Sequence, residues 1–226
     1  MKKTSKPTAA SRKRSPGRPP RAPAPEHPHV RALVAFADVA RRAKLRWYVF
    51  GAQAVNLHGF PRATADLDVT IDLGKRTMSM LIGLLVKAGF EPRFADEAFA
   101  KATRVMPVVH LASGLPIDLV IAGPGLEQRF LDEVELHTIG RRKIPVLSAE
   151  NLIVTKLLAG RPKDLEDVRE LLAVRTAGLE YAQIDELLTL IEQALDQHDL
   201  RPLFTRLRDE ASRGAPAARR TRTPRP

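Results

Sequence analysis

From Val30 onward apolar residues recur at helical spacing, at Val30, Leu33, Val34, Ala37 and Ala40. The segment ends in Arg41, Arg42 and Lys44, a basic cluster that suits a helix C-terminus. Trp47 to Phe50 reads as a short buried strand, Gly51 as a turn, and Ala52 to His58 as a brief helix stopped by Gly59 and Pro61. Asp66, Asp68 and Asp72 alternate with Leu67, Val69 and Ile71, the period of a strand, and Arg76 to Ala88 predicts an amphipathic helix closed by Gly89. Two apolar runs, Val105 to Leu111 and Pro116 to Ile121, flank Ala112-Ser113-Gly114 and predict a hairpin. Short strands near Val134 to Ile139 and Lys143 to Leu147 complete a mixed sheet. Beyond Ser148, a good N-cap with Glu150 close behind, the pattern is helical over roughly 149–159, 162–174, 180–196 and 199–210.

These elements predict an α/β (α+β) fold in which a mixed β-sheet domain flanked by helices, residues 30–147, is followed by a helical C-terminal domain, 148–210. Composition adds the ends. The net charge of +11 is concentrated there: residues 1–31 hold nine Lys/Arg against Glu26 alone, and 212–226 hold five arginines and no acid, so the middle of the chain is slightly acidic. Residues 1–29 and 211–226 are also rich in Pro, Ala and Ser, and read as disordered basic tails. With 44% hydrophobic residues in 226, a sizeable core is available. No apolar run is long enough to cross a bilayer and no signal-like segment follows the basic N-terminus, so a cytoplasmic protein with no membrane partner is expected. The absence of cysteine excludes disulfides, thiolate metal sites and a cysteine nucleophile. The six histidines share no ligand spacing, and no zinc site is expected. Aromatic residues, at 5%, are too scattered for a base-stacking platform.

Candidate chemistry lies with the aspartates. Two apart in a strand, Asp66 and Asp68 would project side by side, roughly 6.6 Å apart along the chain, and like charges that close call for a cation between them. Mg²⁺ or Mn²⁺ takes carboxylate oxygens and completes its shell with water and substrate phosphates. Asp118 interrupts Leu115-Pro116-Ile117-Asp118-Leu119-Val120-Ile121, a run otherwise fit for a buried strand, where an ionised carboxylate must be paired or metal-bound. The backbone amides after Gly51 suit phosphate oxygens, and Arg62 could clamp a phosphate from its loop. Taken singly, each feature has a plainer reading: D-x-D is common in exposed strands, Thr64 suits a turn, and Asp72 ends its strand. Their joint order is more specific.

That order, Gly51-Ala52-Gln53, His58-Gly59, Arg62-Ala63-Thr64-Ala65-Asp66-Leu67-Asp68 and then Asp118, resembles the nucleotidyltransferase superfamily that includes DNA polymerase β. The span 45–175 is most similar to the minimal, AbiEii-like nucleotidyltransferases, a group containing toxins of toxin–antitoxin pairs. Lys156-Leu157-Leu158-Ala159 and Asp164-Leu165-Glu166-Asp167 look like the K-x-x-A and D-x-x-D motifs of that family. The resemblance implies metal binding by Asp66 and Asp68, with Asp118 as third ligand or base, and active-site roles for Lys156, Asp164 and Asp167. Nucleotide contacts are expected at Gly51, Ala52, Gln53, Arg62, Thr64, Lys156 and Asp164, with Arg62 and Lys156 neutralising phosphate charge and Asp164 orienting Lys156. One position departs: the family's turn usually has Ser or Gly after the first Gly, and Ala52 keeps the backbone amide but offers no hydroxyl.

On the helical wheel Lys156 falls between Leu152 and Ile153, an apolar side. Asp164 lies within the stripe of Leu165, Val168, Leu171 and Leu172, with Asp167 at its margin and Lys163, Glu166 and Glu170 facing solvent. Opposite charges aimed inward from consecutive helices should meet each other or a ligand, although acids after Pro162 also suit a helix start. The function expected is metal-dependent transfer of NMP from NTP to an acceptor hydroxyl. An RNA end, a protein hydroxyl and a small molecule such as an aminoglycoside all fit as acceptor, with the tails and the resemblance favouring tRNA, and an antitoxin protein is the partner the resemblance implies. The alternative is a catalytically inactive nucleic-acid or protein-binding module of the same fold.

Overall fold

The computed structural model describes residues 27–93, 97–175 and 178–214. The expectations for residues 1–26 and 215–226 lie outside these. Along the chain run α1 (Pro28–Ala43), β1 (Arg46–Phe50), α2 (Gly51–Leu57), β2 (Leu67–Asp72), α3 (Met78–Lys87), β3 (Phe90–Pro92), α4 (Glu97–Thr103), β4 (Val105–His110) and β5 (Leu115–Ile121). Then follow α5 (Leu126–Asp132), β6 (Val134–Ile139), β7 (Arg142–Leu147), α6 (Ala149–Ala159), α7 (Pro162–Arg175), α8 (Tyr181–Leu195) and α9 (Leu200–Gly214).

The strands form one mixed sheet in the order β3-β4-β5-β2-β1-β7-β6. β1 pairs antiparallel with β2 and parallel with β7, and β2 pairs parallel with β5. The expected hairpin is β4–β5, in register from His110 opposite Leu115 to Val105 opposite Val120. β3, α4 and α5 were not expected from the pattern, being three to seven residues long and so too short to show a period.

Several boundaries differ for local reasons. α1 starts at Pro28, whose fixed φ suits a first helical turn, so the helix begins inside the expected tail. α9 runs to Gly214, past the expected end at 210. β2 begins at Leu67, which puts Asp66 in the bend ahead of the strand and not on it. There the Thr64 hydroxyl sits against both the Asp66 carbonyl (3.1 Å) and Asp66 Oδ1 (3.0 Å), a side-chain turn that competes with strand pairing.

A single apolar cluster runs through the molecule. Phe36 of α1 packs edge-on against Trp47 of β1 and Phe90 of β3, while Leu152 and Ile153 of α6, Val168 and Leu171 of α7, Leu187 of α8 and Phe204 of α9 join the same core. Ser148 caps α6, its hydroxyl accepting from Asn151 N at 3.3 Å, so the chain passes from β7 into the helices without a linker. Among the described residues no helix is long and apolar enough to cross a membrane.

Candidate active site

A cleft of about 540 Å³ opens where the ends of β1, β2 and β5 meet α6 and α7. Parallel pairing of β2 with β5 sets Asp68 directly opposite Asp118, and antiparallel pairing of β1 sets Phe50 opposite Asp68. Strand spacing of about 4.8 Å therefore places two carboxylates side by side, and the bend at Asp66 brings in a third. All three line the cleft. Neither Asp68 nor Asp118 has an ion-pair partner among the described residues. Burial first, then the charges of Asp66 and Asp118, push the Asp68 carboxyl up to about 6, against the opposing pull of Lys156 and Lys163. Burial and then Asp66 push Asp118 up as well, opposed by Arg93.

Gly51 explains why the turn after β1 needs glycine. Its φ is +65°, and a Cβ there would lie 1.9 Å from Asp68 Oδ2. The Asp68 carboxylate rests against bare backbone, at the point where α2 begins. Ala52 lines the cleft, whereas Gln53 does not: it accepts a hydrogen bond from Asn56 Nδ2 (3.3 Å) and faces a neighbouring recess of about 360 Å³ with His27 and His29. Arg62 and Thr64 border both spaces.

The opposite wall is an ion network. Lys156 Nζ donates to Asp164 Oδ1 at 2.8 Å and lies 2.7 Å from Asp167 Oδ2, off the line of a hydrogen bond. Arg161 pairs with Asp164, and Arg62 reaches across from the loop before β2 to Asp167. Asp164 and Asp167 are 0% and 2% exposed. Burial would raise the Asp164 carboxyl, but hydrogen bonds from Arg161 and Lys156 outweigh it and hold it below the usual range. Three cations against two carboxylates leave this wall positive, facing the three aspartates across the cleft. Arg161, given no role from the sequence, and Lys163, read there as facing solvent, also line the cleft; their position beside Asp164 was the available signal.

The mixed sheet flanked by helices is a nucleotidyltransferase-type fold. The chain is similar to an antigenic nucleotidyltransferase-like protein from Paracoccidioides brasiliensis, with a TM-score of 0.52 and 18% identity over 78% of this chain and 91% of that one. It is also similar to the antibiotic-resistance factor ANT(2'')-Ia, with a TM-score of 0.53 and 14% identity over 74% and 93%. No protein-family model matches the sequence, and no curated protein matches it.

Proposed function

We propose that this chain is a metal-dependent nucleotidyltransferase that moves a nucleoside monophosphate from an NTP to an acceptor hydroxyl and releases pyrophosphate. The observation that carries the reading is the meeting of Asp66, Asp68 and Asp118 on one wall of a cleft whose other wall is cationic. Hard oxygen donors, of which Asp68 and Asp118 have no ion-pair partner among the described residues and Asp68 is pushed toward protonation by burial and its neighbours, fit a divalent ion. Bound by these three, Mg²⁺ or Mn²⁺ would polarise the phosphoryl oxygens and neutralise developing charge.

The chain's own groups do the rest. The backbone amides that follow Gly51 receive the triphosphate, and Arg62 and Arg161 offset its charge from the far wall. Lys156, held by Asp164 and Asp167, fixes that wall in place. Asp118 takes the proton of the acceptor hydroxyl as its oxygen bonds to the α-phosphorus and the bond to pyrophosphate breaks. Positioning and charge stabilisation supply most of the acceleration in such reactions.

The acceptor we assign to an RNA, tRNA being one candidate. The AbiEii-like motifs and the basic ends of the chain support this, since clustered arginines and lysines gain affinity by releasing counterions from phosphate backbones. The same motifs support a cytoplasmic toxin with a cognate antitoxin protein. Incubation with labelled NTPs, Mg²⁺ and total RNA tests the reaction: label transfer is expected, with a loss of about 100-fold or more in Asp66→Ala. Transfer by both proteins, or by neither, overturns the assignment. Ala52, which brings no hydroxyl to the cleft, favours a second reading as a non-catalytic binding module; a calorimetric titration without Mg²⁺-dependent NTP binding would select it.

A further inference from the structure

A second cluster of metal-ligating side chains lies away from the aspartates, where the C-terminal end of α2 meets β6. Ligand atoms of His58, Glu135 and His137 all fall within 4.8 Å of one another. Glu135 and His137 are two apart on β6 and share a face, with His137 Nε2 3.8 Å from Glu135 Oε2. His58 caps α2 and its ring meets that of His137 edge to face, 5.2 Å between centroids.

His58 carries the decisive detail. It is 4% exposed, and its Nε2 lies 2.8 Å from the Leu147 carbonyl oxygen. A carbonyl can only accept, so Nε2 holds the proton and Nδ1 bears the lone pair. That Nδ1 is buried with no hydrogen-bond partner. A neutral imidazole anchored through one N–H to a backbone carbonyl, with its other nitrogen bare, is the state in which histidine ligates metals. Glu135 is anchored too: Oε1 accepts from Ala149 N at 3.2 Å, and Arg175 Nη2 reaches Oε1 at 3.3 Å and Oε2 at 3.2 Å.

We propose that His58, Glu135 and His137 form a zinc site, distinct from the catalytic aspartates. Two imidazoles and a carboxylate are a known zinc ligand set that leaves a fourth position for water. Zn–ligand bonds of about 2.1 Å at tetrahedral angles set ligand atoms about 3.4 Å apart, so small side-chain rotations close the present cluster around an ion. Arg175 stays outside as the group that orients the carboxylate. The site would tie the end of α2 to the sheet edge at β6 and, through Arg175, to α7. Because α2 begins at Gly51, the ion would brace the helix that borders the catalytic cleft.

The test is titration of the purified full-length chain with Zn²⁺ against a chromophoric chelator, beside Asp68→Asn and His137→Ala. His137 is part-exposed on its strand, so its loss spares the core. With the aspartate site kept filled by excess Mg²⁺ in every titration and melt, one Zn²⁺ per chain is expected in the wild type and retained in Asp68→Asn, with affinity falling about 100-fold or more in His137→Ala. Zn²⁺ should raise the melting temperature of the first two proteins and leave the third unchanged. Absence of saturable binding, binding lost in Asp68→Asn, or binding undiminished in His137→Ala would each overturn the proposal; the last would send the ion elsewhere, as to His27 and His29.

Discussion

The contact between Gly51 and Asp68 concentrates the site's demands in two residues. In Gly51→Ala the new methyl meets Asp68 Oδ2 at 1.9 Å in a backbone region hostile to side chains. A loss of about 1–3 kcal/mol is expected in urea denaturation, together with loss of nucleotide transfer, because the carboxylate must move. Wild-type behaviour on both counts would contradict the close packing. Asp68 itself should make the metal-free protein sensitive to pH. With its carboxyl raised to about 6, the native state keeps a proton that the unfolded chain releases near 4. The contribution of Asp68 to stability is therefore full below about pH 4 and is lost as pH rises through 6, by about 2–3 kcal/mol, with Asp118 acting in the same direction and Asp164, held low by its ion pairs, in the opposite one at acid pH. Asp68→Asn should flatten this slope and melt higher than the wild type at pH 7.5 without metal, while being inactive. A variant less stable than the wild type there would refute the assignment of strain to the carboxylates.

At the scale of elements, α6 and α7 bring opposite charges together inside the molecule. Both inward directions were legible in the sequence, since Lys156 and Asp164 sit within apolar stripes of their own helices. The partners reaching in were not. Arg62 comes from a loop 105 residues before Asp167, and Arg161 stands just before α7, where periodicity carries no direction. Lys156→Met would keep the volume and leave Asp164 and Asp167 to the two arginines alone. Removing one member of a buried ion network costs about 3–5 kcal/mol, which chemical denaturation would measure. A change below about 1 kcal/mol would show that the arginines suffice and that Lys156 serves the ligand rather than the fold.

Over the whole molecule, one core joins the sheet to the C-terminal helices across the expected division near 147. Trp47, in β1, reports on the sheet, while far-UV circular dichroism is dominated by the helices. The two signals should trace a single coincident urea transition, as for one cooperative unit; an earlier dichroism transition would reveal a separately unfolding helical half. The sequence by itself determined the longer elements, the cap at Ser148, the aspartates at 66, 68 and 118, and the inward charges at 156 and 164. It could do so because amphipathic period and the cost of burying charge act within a few residues. Tertiary structure alone decided that Asp68 faces Asp118, that Gly51 cradles one of them, that Gln53 turns away, and that His58 meets His137 across 79 positions. Period tells which face an element buries; which distant element covers it is settled only when all the faces compete for burial together.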